Sequence, residues 1–224
     1  MTINFKDKID DEDRKYALLL SEELELKSAF LDIDSNSNIN EKIDEIIPYL
    51  DEPLSDTAIL PTYLISKKSQ QTGLKVMITG AGGDEIFSGY NKHMAEFLVR
   101  KKRFLNKIIY AGRPIWKNLP KSRNSKIGNL NRQLLRFTDG LKKGNSERYW
   151  DWAGILKDHE AGNFLKKTNP QEFEYNKKSI LDFSLQENDF NGVLFQDVKQ
   201  VLVGDMLTKV DLNSMNNSLE IRVP

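Results

Sequence analysis

The stretch KVMITGAGGDEIFSGY, residues 75–90, carries the residue types best suited to chemistry in this chain. An apolar run ends in Thr79, Gly80, Ala81, Gly82 and Gly83, and Asp84 and Glu85 follow at once. Glycines at the carboxyl end of a strand let backbone N–H groups approach phosphate oxygens, and the start of a following helix adds favourable potential. A carboxylate beside such a cradle suits Mg²⁺, which takes oxygen ligands and often bridges to substrate phosphates. The plainer reading is a strand that ends in a turn, with an acidic cap on the next helix. Nothing matches G-x-x-x-x-G-K-[ST], so a Walker-type phosphate loop is excluded.

Two other segments hold charge at suggestive places. Asp51, Glu52 and Asp56 crowd the loop in YLDEPLSDTAIL, where helix capping by Asp56 and a turn at Pro53 account for them structurally. Lys209, Asp211, Glu220 and Arg222 lie in an otherwise apolar-periodic tail. They read either as an internal ion-pair network or, for Lys209 and Arg222, as contacts to an anionic substrate. The basic run RKKRFLNK, 100–107, reads as a solvated helix face, and nucleic acid is not expected as a partner. Trp150 and Trp152 read as packing residues. His93 and His159 read as surface or capping histidines without a neighbouring acid at useful spacing.

The elements that must position these groups follow from periodicity. TINF at the start is strand-like. Residues 11–25 put Tyr16, Leu19, Leu20 and Leu24 on one helical face. LKSAFLDID is strand-like and SNSN is a turn. Ile39, Ile43, Ile46 and Leu50 form a second helical stripe, with Asn38 and Glu41 as a capping-box start and Pro48 as its kink or end. A third helix runs through TAILPTYLISKKSQQ, with Lys67 and Lys68 in its last turns and Gly73 just past it. LKVMIT is a short continuous apolar run, as in a strand covered on both faces. The order β-α-β-α-α-β predicts an α/β fold with a parallel sheet flanked by helices. Beyond residue 90 helical pieces dominate, so the expected division is an α/β part over 1–90 and an α-helical part over 91–224. The polar, basic stretch 111–145 is expected to be a mobile excursion.

Bulk composition narrows the function. The chain has 224 residues with 33 basic and 33 acidic side chains, so no global field draws it to nucleic acid or membrane. It has no Cys and two His, which excludes disulfides and thiolate chemistry and argues against Cys/His zinc sites. No run approaches the roughly 18 apolar residues of a membrane span. The N-terminus has no apolar signal core. A cytoplasmic protein is expected.

Three blocks, in order, resemble the synthetase domain of glutamine-dependent asparagine synthetases. LDEPLSDTAILPTYLISK resembles the loop and helix before that family's central strand. KVMITGAGGDEIFSGYNKH resembles its S-G-E-G-x-D-E-[LV]-F-G-G-Y signature. LTKVDLNSMNNSLEIRVP resembles its K-x-D-x-x-S-M-x-x-S-L-E-x-R-V-P segment. TINF resembles the second strand of its nucleotide-binding sheet. The resemblance implies the parallel α/β fold of the ATP pyrophosphatases (adenine nucleotide alpha hydrolase-like) with an α-helical C-terminal half. It implies ATP and Mg²⁺ at the site, and aspartate as substrate. The side-chain carboxylate of aspartate attacks the α-phosphorus of ATP, giving β-aspartyl-AMP and pyrophosphate. Ammonia from a glutaminase domain not in this chain then displaces AMP. By the same resemblance Ile3 packs on adenine, Thr79 and Gly80 contact ATP with Gly82 and Gly83 in the same loop, and Asp84 is the Mg²⁺ ligand. Lys209, Asp211 and Arg222 fall at positions near the substrate. A homodimer stays open.

The chain departs from the family at Ala81, which stands where the signature has Glu. In the family that carboxylate assists formation of the intermediate or acts on the incoming ammonia, and a methyl group can do neither. The family's S-G-G-x-D-S loop, its glutaminase domain and a later catalytic Lys are absent from these residues. The expectation is a synthetase domain truncated at both ends, with the first strand missing. On its own it is expected neither to hydrolyse glutamine nor to release pyrophosphate. The alternatives are a non-catalytic binding module and a relative amidating a different carboxylate.

Overall fold

A computed structural model describes residues 2–5, 12–33, 39–51, 54, 56–122, 125–154, 156–163, 169–181 and 189–223. The expected turn at SNSN and the cap at Asn38 lie outside these residues. The chain divides into two compact units, Met1–Gly82 with Leu202–Pro224, and Gly83–Val201. This differs from the expected division at residue 90: the helix Gly83–Phe87 packs against Asn191–Asp197 of the second unit, and the last segment of the chain packs with the first.

In the first unit, β1 (Thr2–Phe5), α1 (Glu12–Glu23), β2 (Phe30–Ile33), α2 (Ile39–Ile46), α3 (Ile59–Gln71) and β3 (Val76–Ile78) follow the expected order. Pro48 sits in a 3₁₀ turn, Ile47–Tyr49, that ends α2. Gly73 ends the α3 turn at φ +83°, where a side chain would be strained. Strand β1 pairs in parallel with β2, Ile3 opposite Leu31. Strand β3 pairs in parallel with the C-terminal Glu220–Arg222 strand, Ile78 opposite Arg222. The expected single parallel sheet is therefore two separate two-stranded parallel sheets among the described residues.

The core of this unit is small and polar. Helix α3 buries Tyr63, Ser66 and Ser69 and packs against the helix Thr208–Asn216, which buries Lys209, Asn213 and Ser214. Ser66 donates to the Thr62 carbonyl at 2.9 Å and Asn213 to the Lys209 carbonyl at 2.8 Å. Satisfied within their own helices, these small polar groups permit close helix approach at little desolvation cost. Ser69 Oγ also meets Met77 Sδ at 3.6 Å, which covers one face of β3. The opposite face is open, with Val76 45% and Ile78 75% exposed. The expectation of a strand covered on both faces is thus corrected: side chains alternate, and only the Met77 side meets α3. The apolar stripe of α1 is likewise uncovered, Leu19, Leu20 and Leu24 each being more than half exposed.

The second unit is helical throughout. It comprises α4 (Gly83–Phe87), α5 (Asn91–Lys101), α6 (Arg103–Ala111), α7 (Arg113–Asn118), α8 (Lys126–Gly140), α9 (Asn145–Ala153), α10 (Asp158–Gly162), α11 (Pro170–Leu181) and α12 (Asn191–Asp197). The stretch 111–145 is not a mobile excursion, because α7 and α8 occupy it. Ser125 caps α8 by accepting from Gly128 N at 3.1 Å, and Asn131 ties down the Leu119 and Pro120 carbonyls. Tyr149, Leu181 and Val193 form the apolar core, and Phe137 stacks on Trp152. A π-helical run, Val198–Leu207, follows α12. Then come α13 (Thr208–Asn216) and β4 (Glu220–Arg222) of the first unit.

Candidate functional site

The glycine-rich segment leaves the C-terminal tip of β3. Thr79 N donates to the Arg222 carbonyl at 2.9 Å, extending the β3–β4 ladder by one rung. Gly82 is buried at φ +96°, in the left-handed region that favours glycine, with Leu202 Cδ2 3.5 Å from where a Cβ would sit. A Cβ on Gly80 or Gly83 would meet nothing within 4 Å. Crowding by the protein therefore does not explain the missing side chains at 80 and 83. Open space over bare backbone is what a phosphate cradle requires. Ala81 is half-buried and presents only a methyl group.

Lys209 is 3% exposed, and its Nζ is paired with Asp56 Oδ2 and lies 3.3 Å from Met206 Sδ. Asp56 also accepts from Ala58 N at 2.9 Å while anchoring Lys209, but the expected cap is corrected: this bond lies ahead of α3, whose cap residue is Ala58 and carries no side-chain cap bond. Burial, the largest influence on the Asp56 carboxyl, pushes its pKa up. The hydrogen bonds from Lys209 and the Ala58 N–H, with the Lys209 charge, outweigh it and hold the carboxyl below its usual value. Arg222 is exposed, and its Nε donates to Glu220 Oε1 at 2.7 Å. Asp211 is exposed on α13, its carbonyl accepting from Ser214 Oγ at 3.0 Å. Ile3 stands in the β1–β2 ladder, and its side chain lies outside the described groups. The structure thus joins Thr79 to Arg222 and Lys209 to Asp56. Among the described contacts none ties Ile3 or Asp211 to these pairs.

Gly82 closes the first unit and Gly83 opens the second. In the second unit, Asp84 and Glu85 face different surroundings. Asp84 is exposed, and its carbonyl accepts from Gly89 N at 2.9 Å. Gly89 lies so close that a Cβ there would collide with Asp84 Oδ1. Ser88 between them adopts φ +65°, unusual for a residue with a side chain. Glu85 is fully buried, accepting from Tyr90 OH at 2.6 Å, while its Oε2 has no partner. Burial, then the bond to Glu85, pushes the Tyr90 hydroxyl pKa well up. Of the two acids only Asp84 is free to meet a cation. No cluster of three or more metal-binding side chains exists among the described residues. A Mg²⁺ held by one protein carboxylate and completed by water and substrate phosphates fits that donor set.

Two buried clusters in the second unit escaped the sequence reading. Asp197, with no exposure, accepts from Lys92 Nζ at 2.8 Å, from Tyr149 OH, and pairs with His93 Nε2 at 2.6 Å. His93 is therefore neither a surface nor a capping residue. Burial pushes the Asp197 carboxyl pKa up; hydrogen bonding by His93, the Lys92 charge and the Tyr149 hydroxyl outweigh it and hold it low. As an ionised acceptor it requires the hydrogen on His93 Nε2. The second cluster is Glu96 with Arg148, bidentate at 2.9 Å for both bonds, and Arg100. Arg100 is buried rather than on the solvated face of the basic run. Burial pushes both guanidinium groups down to about 10. The Glu96–Arg100 spacing of four was the local signal for this pair. The 104-residue separation of His93 and Asp197 offered none.

A family model described as asparagine synthase matches residues 1–224. Asparagine synthetase [glutamine-hydrolyzing] 1 of Bacillus subtilis (strain 168) is 26% identical over 190 residues, covering 82% of this chain and 28% of that protein. A putative asparagine synthetase [glutamine-hydrolyzing] of Mycobacterium tuberculosis (strain CDC 1551 / Oshkosh) is 28% identical over 187 residues, 80% of this chain and 26% of that protein. A putative asparagine synthetase [glutamine-hydrolyzing] 2 of Methanocaldococcus jannaschii is 29% identical over 184 residues, 80% of this chain and 33% of that protein. The chain spans 26–33% of the length of these relatives. No solved structure matches.

Proposed function

The chain belongs to the asparagine synthase family, and on that premise we propose that it handles Mg·ATP in an AMP-forming amidation of aspartate. A free carboxylate resists attack by an amine, so it must first carry a good leaving group. In the proposed reaction a β-carboxylate oxygen of aspartate bonds to the α-phosphorus of ATP, and pyrophosphate departs. Ammonia then attacks the acyl carbon, AMP leaves, and the amide forms after loss of a proton. Thr79, Gly80, Gly82 and Gly83 offer backbone to the nucleotide. Mg²⁺, when bound, offsets charge on the departing pyrophosphate, and Asp84 is the residue that would hold it. Lys209, fixed by Asp56, is a candidate for an anionic substrate group. Asp211 and Arg222, both exposed, are the further candidates. ATP, magnesium and aspartate belong to this proposal, as does a glutaminase-derived source of ammonia.

One observation carries the reading. Gly80, at the carboxyl tip of a parallel strand, has open space where a side chain would go, and Gly83, which opens the second unit, has it too and is followed in sequence by the exposed Asp84. A second reading, binding of Mg·ATP without turnover, draws its support from Ala81. The test embeds these residues in a polypeptide that supplies the S-G-G-x-D-S loop and provides ATP, ammonia and aspartate labelled with ¹⁸O in its side-chain carboxylate. Label in AMP supports the ligase reading. Saturable Mg·ATP binding with no AMP supports the second. Label in inorganic phosphate with release of ADP overturns the AMP-forming chemistry.

A further inference from the structure

The chain is neutral as a whole, but its charge is unevenly spread. Residues 97–138 contain twelve Lys or Arg and no Asp or Glu. Four of these cations have partners inside the protein. Arg100 pairs with Glu96 and Arg113 with Asp139, Arg132 donates to Asn129, and Arg136 donates to the carbonyls of Asp151 and Trp152. Lys101, Lys102, Arg103, Lys107, Lys117 and Lys126 are exposed, and none pairs with an acid among the described residues. Overall neutrality therefore hides a local positive field.

Large apolar side chains stand among these cations. In α6, buried Asn106 donates to the Leu98 and Val99 carbonyls at 3.1 Å each, which fixes the inward side of the helix. Phe104 and Ile108, two residues before and after it, fall on the opposite side and are 77% and 53% exposed. Arg103 and Lys107, also one turn apart, form the neighbouring row. Trp116 Nε1 donates to the Ile109 carbonyl at 3.0 Å and ties α7 to α6. Helix α7 exposes Ile115, with Lys117 two residues on, and α8, packed against both helices, exposes Ile127 and Leu130 directly after Lys126.

We propose that the exposed side of α6, with the adjoining α7 and α8, docks on an anionic lipid surface. Phe104 and Ile108 enter the boundary between headgroups and acyl chains, and the surrounding cations meet lipid phosphates. Charge complementarity carries the choice of partner. A helix that presents apolar side chains beside Lys and Arg lies in the plane of a membrane interface, and a cluster of about four to eight cations draws it to acidic lipid. No helix of the described residues is long and apolar enough to cross a membrane, so the contact is with its surface. Ile108, Ile115, Ile127 and Leu130 are aliphatic, which suits acyl chains. Nucleic-acid bases call for aromatic platforms, and Phe104 is the one aromatic residue of these five.

The test is flotation of the full chain with vesicles of equimolar phosphatidylcholine and phosphatidylglycerol, and with vesicles of phosphatidylcholine alone. Affinity for the anionic vesicles should be at least tenfold higher and should fall as salt rises. The double variant Phe104→Ser, Ile108→Ser should lose at least tenfold, and Arg103→Gln, Lys107→Gln at least threefold. Far-UV circular dichroism verifies that each variant folds, and if one does not, the other decides. Polyuridylate and polyglutamate stand in for RNA and for an acidic protein. No saturable flotation with anionic vesicles, equal affinity for the neutral ones, or unchanged affinity in a folded variant would each overturn the proposal. Binding of either polyanion in place of the vesicles would assign the face to that class of partner and overturn it as well.

Discussion

Asp56 and Lys209 stand 153 residues apart and share one ion pair, so their removal should be strongly asymmetric. Lys209 is 3% exposed and Asp56 27% exposed. Asp56→Asn leaves a buried ammonium without its carboxylate, with the thioether sulfur Met206 Sδ at 3.3 Å. Breaking a buried pair by removing one partner costs about 3–5 kcal/mol, and the partial exposure of Asp56 puts this case near 3 kcal/mol. Lys209→Met instead leaves a carboxylate that keeps the Ala58 N–H and water, a cost of about 1 kcal/mol. The double variant removes both charges and should cost about 2 kcal/mol, less than the sum of the singles by about 2 kcal/mol. The measurement is urea unfolding followed by circular dichroism, with amide hydrogen exchange of α3 and α13 separating local from global loss. The pair also sets a pH signature. The Asp56 carboxyl is held below its usual 3.8. Its contribution is complete above that unfolded value and is lost as pH falls through the lower folded one. The gap between wild type and Asp56→Asn should therefore be flat from neutrality to about pH 3.8 and close below it. If Asp56→Asn costs no more than Lys209→Met, or if the two effects add, the argument from unequal burial is wrong.

Three further expectations concern neighbouring features. Ser88→Gly relieves a left-handed backbone at φ +65° and should raise stability by about 1 kcal/mol, read as a higher Tm. Gly89→Ala would push its methyl into the Asp84 carboxylate. It should weaken Mg·ATP binding by about tenfold in calorimetry, or about 1.4 kcal/mol. Asp197→Asn leaves Lys92 without its carboxylate and should cost about 3 kcal/mol at pH 7. Because the Asp197 pKa is depressed, that loss should shrink as pH falls below 3.8.

Local chemistry was legible in the sequence where it depended on neighbours in the chain. Gly73 announced its positive φ because a helix end calls for it. Lys68 announced its place in the last turn of α3, whereas Asp56 bonds the Ala58 N–H ahead of that helix instead of capping it. Long-range partnerships were not legible. No spacing rule links His93 to Asp197 across 104 residues or Lys209 to Asp56 across 153, and burial of charge is decided by what packs over it. The β3 run looked doubly covered because apolar residues at three consecutive positions satisfy that pattern equally well on a strand with one open face. Arg100 looked solvated because its neighbours are basic, yet the chain turns that one side chain inward to Glu96 and Arg148.

The proposed function turns on segment 79–84 taking Mg·ATP with Asp84 on the metal. Isothermal titration of ATP into the wild type and Asp84→Ala, each with and without Mg²⁺, tests it most directly. Binding in the wild type should depend on Mg²⁺, and Asp84→Ala should lose at least tenfold in affinity together with the Mg²⁺ dependence. Equal affinity of the two proteins in the presence of Mg²⁺ would contradict it.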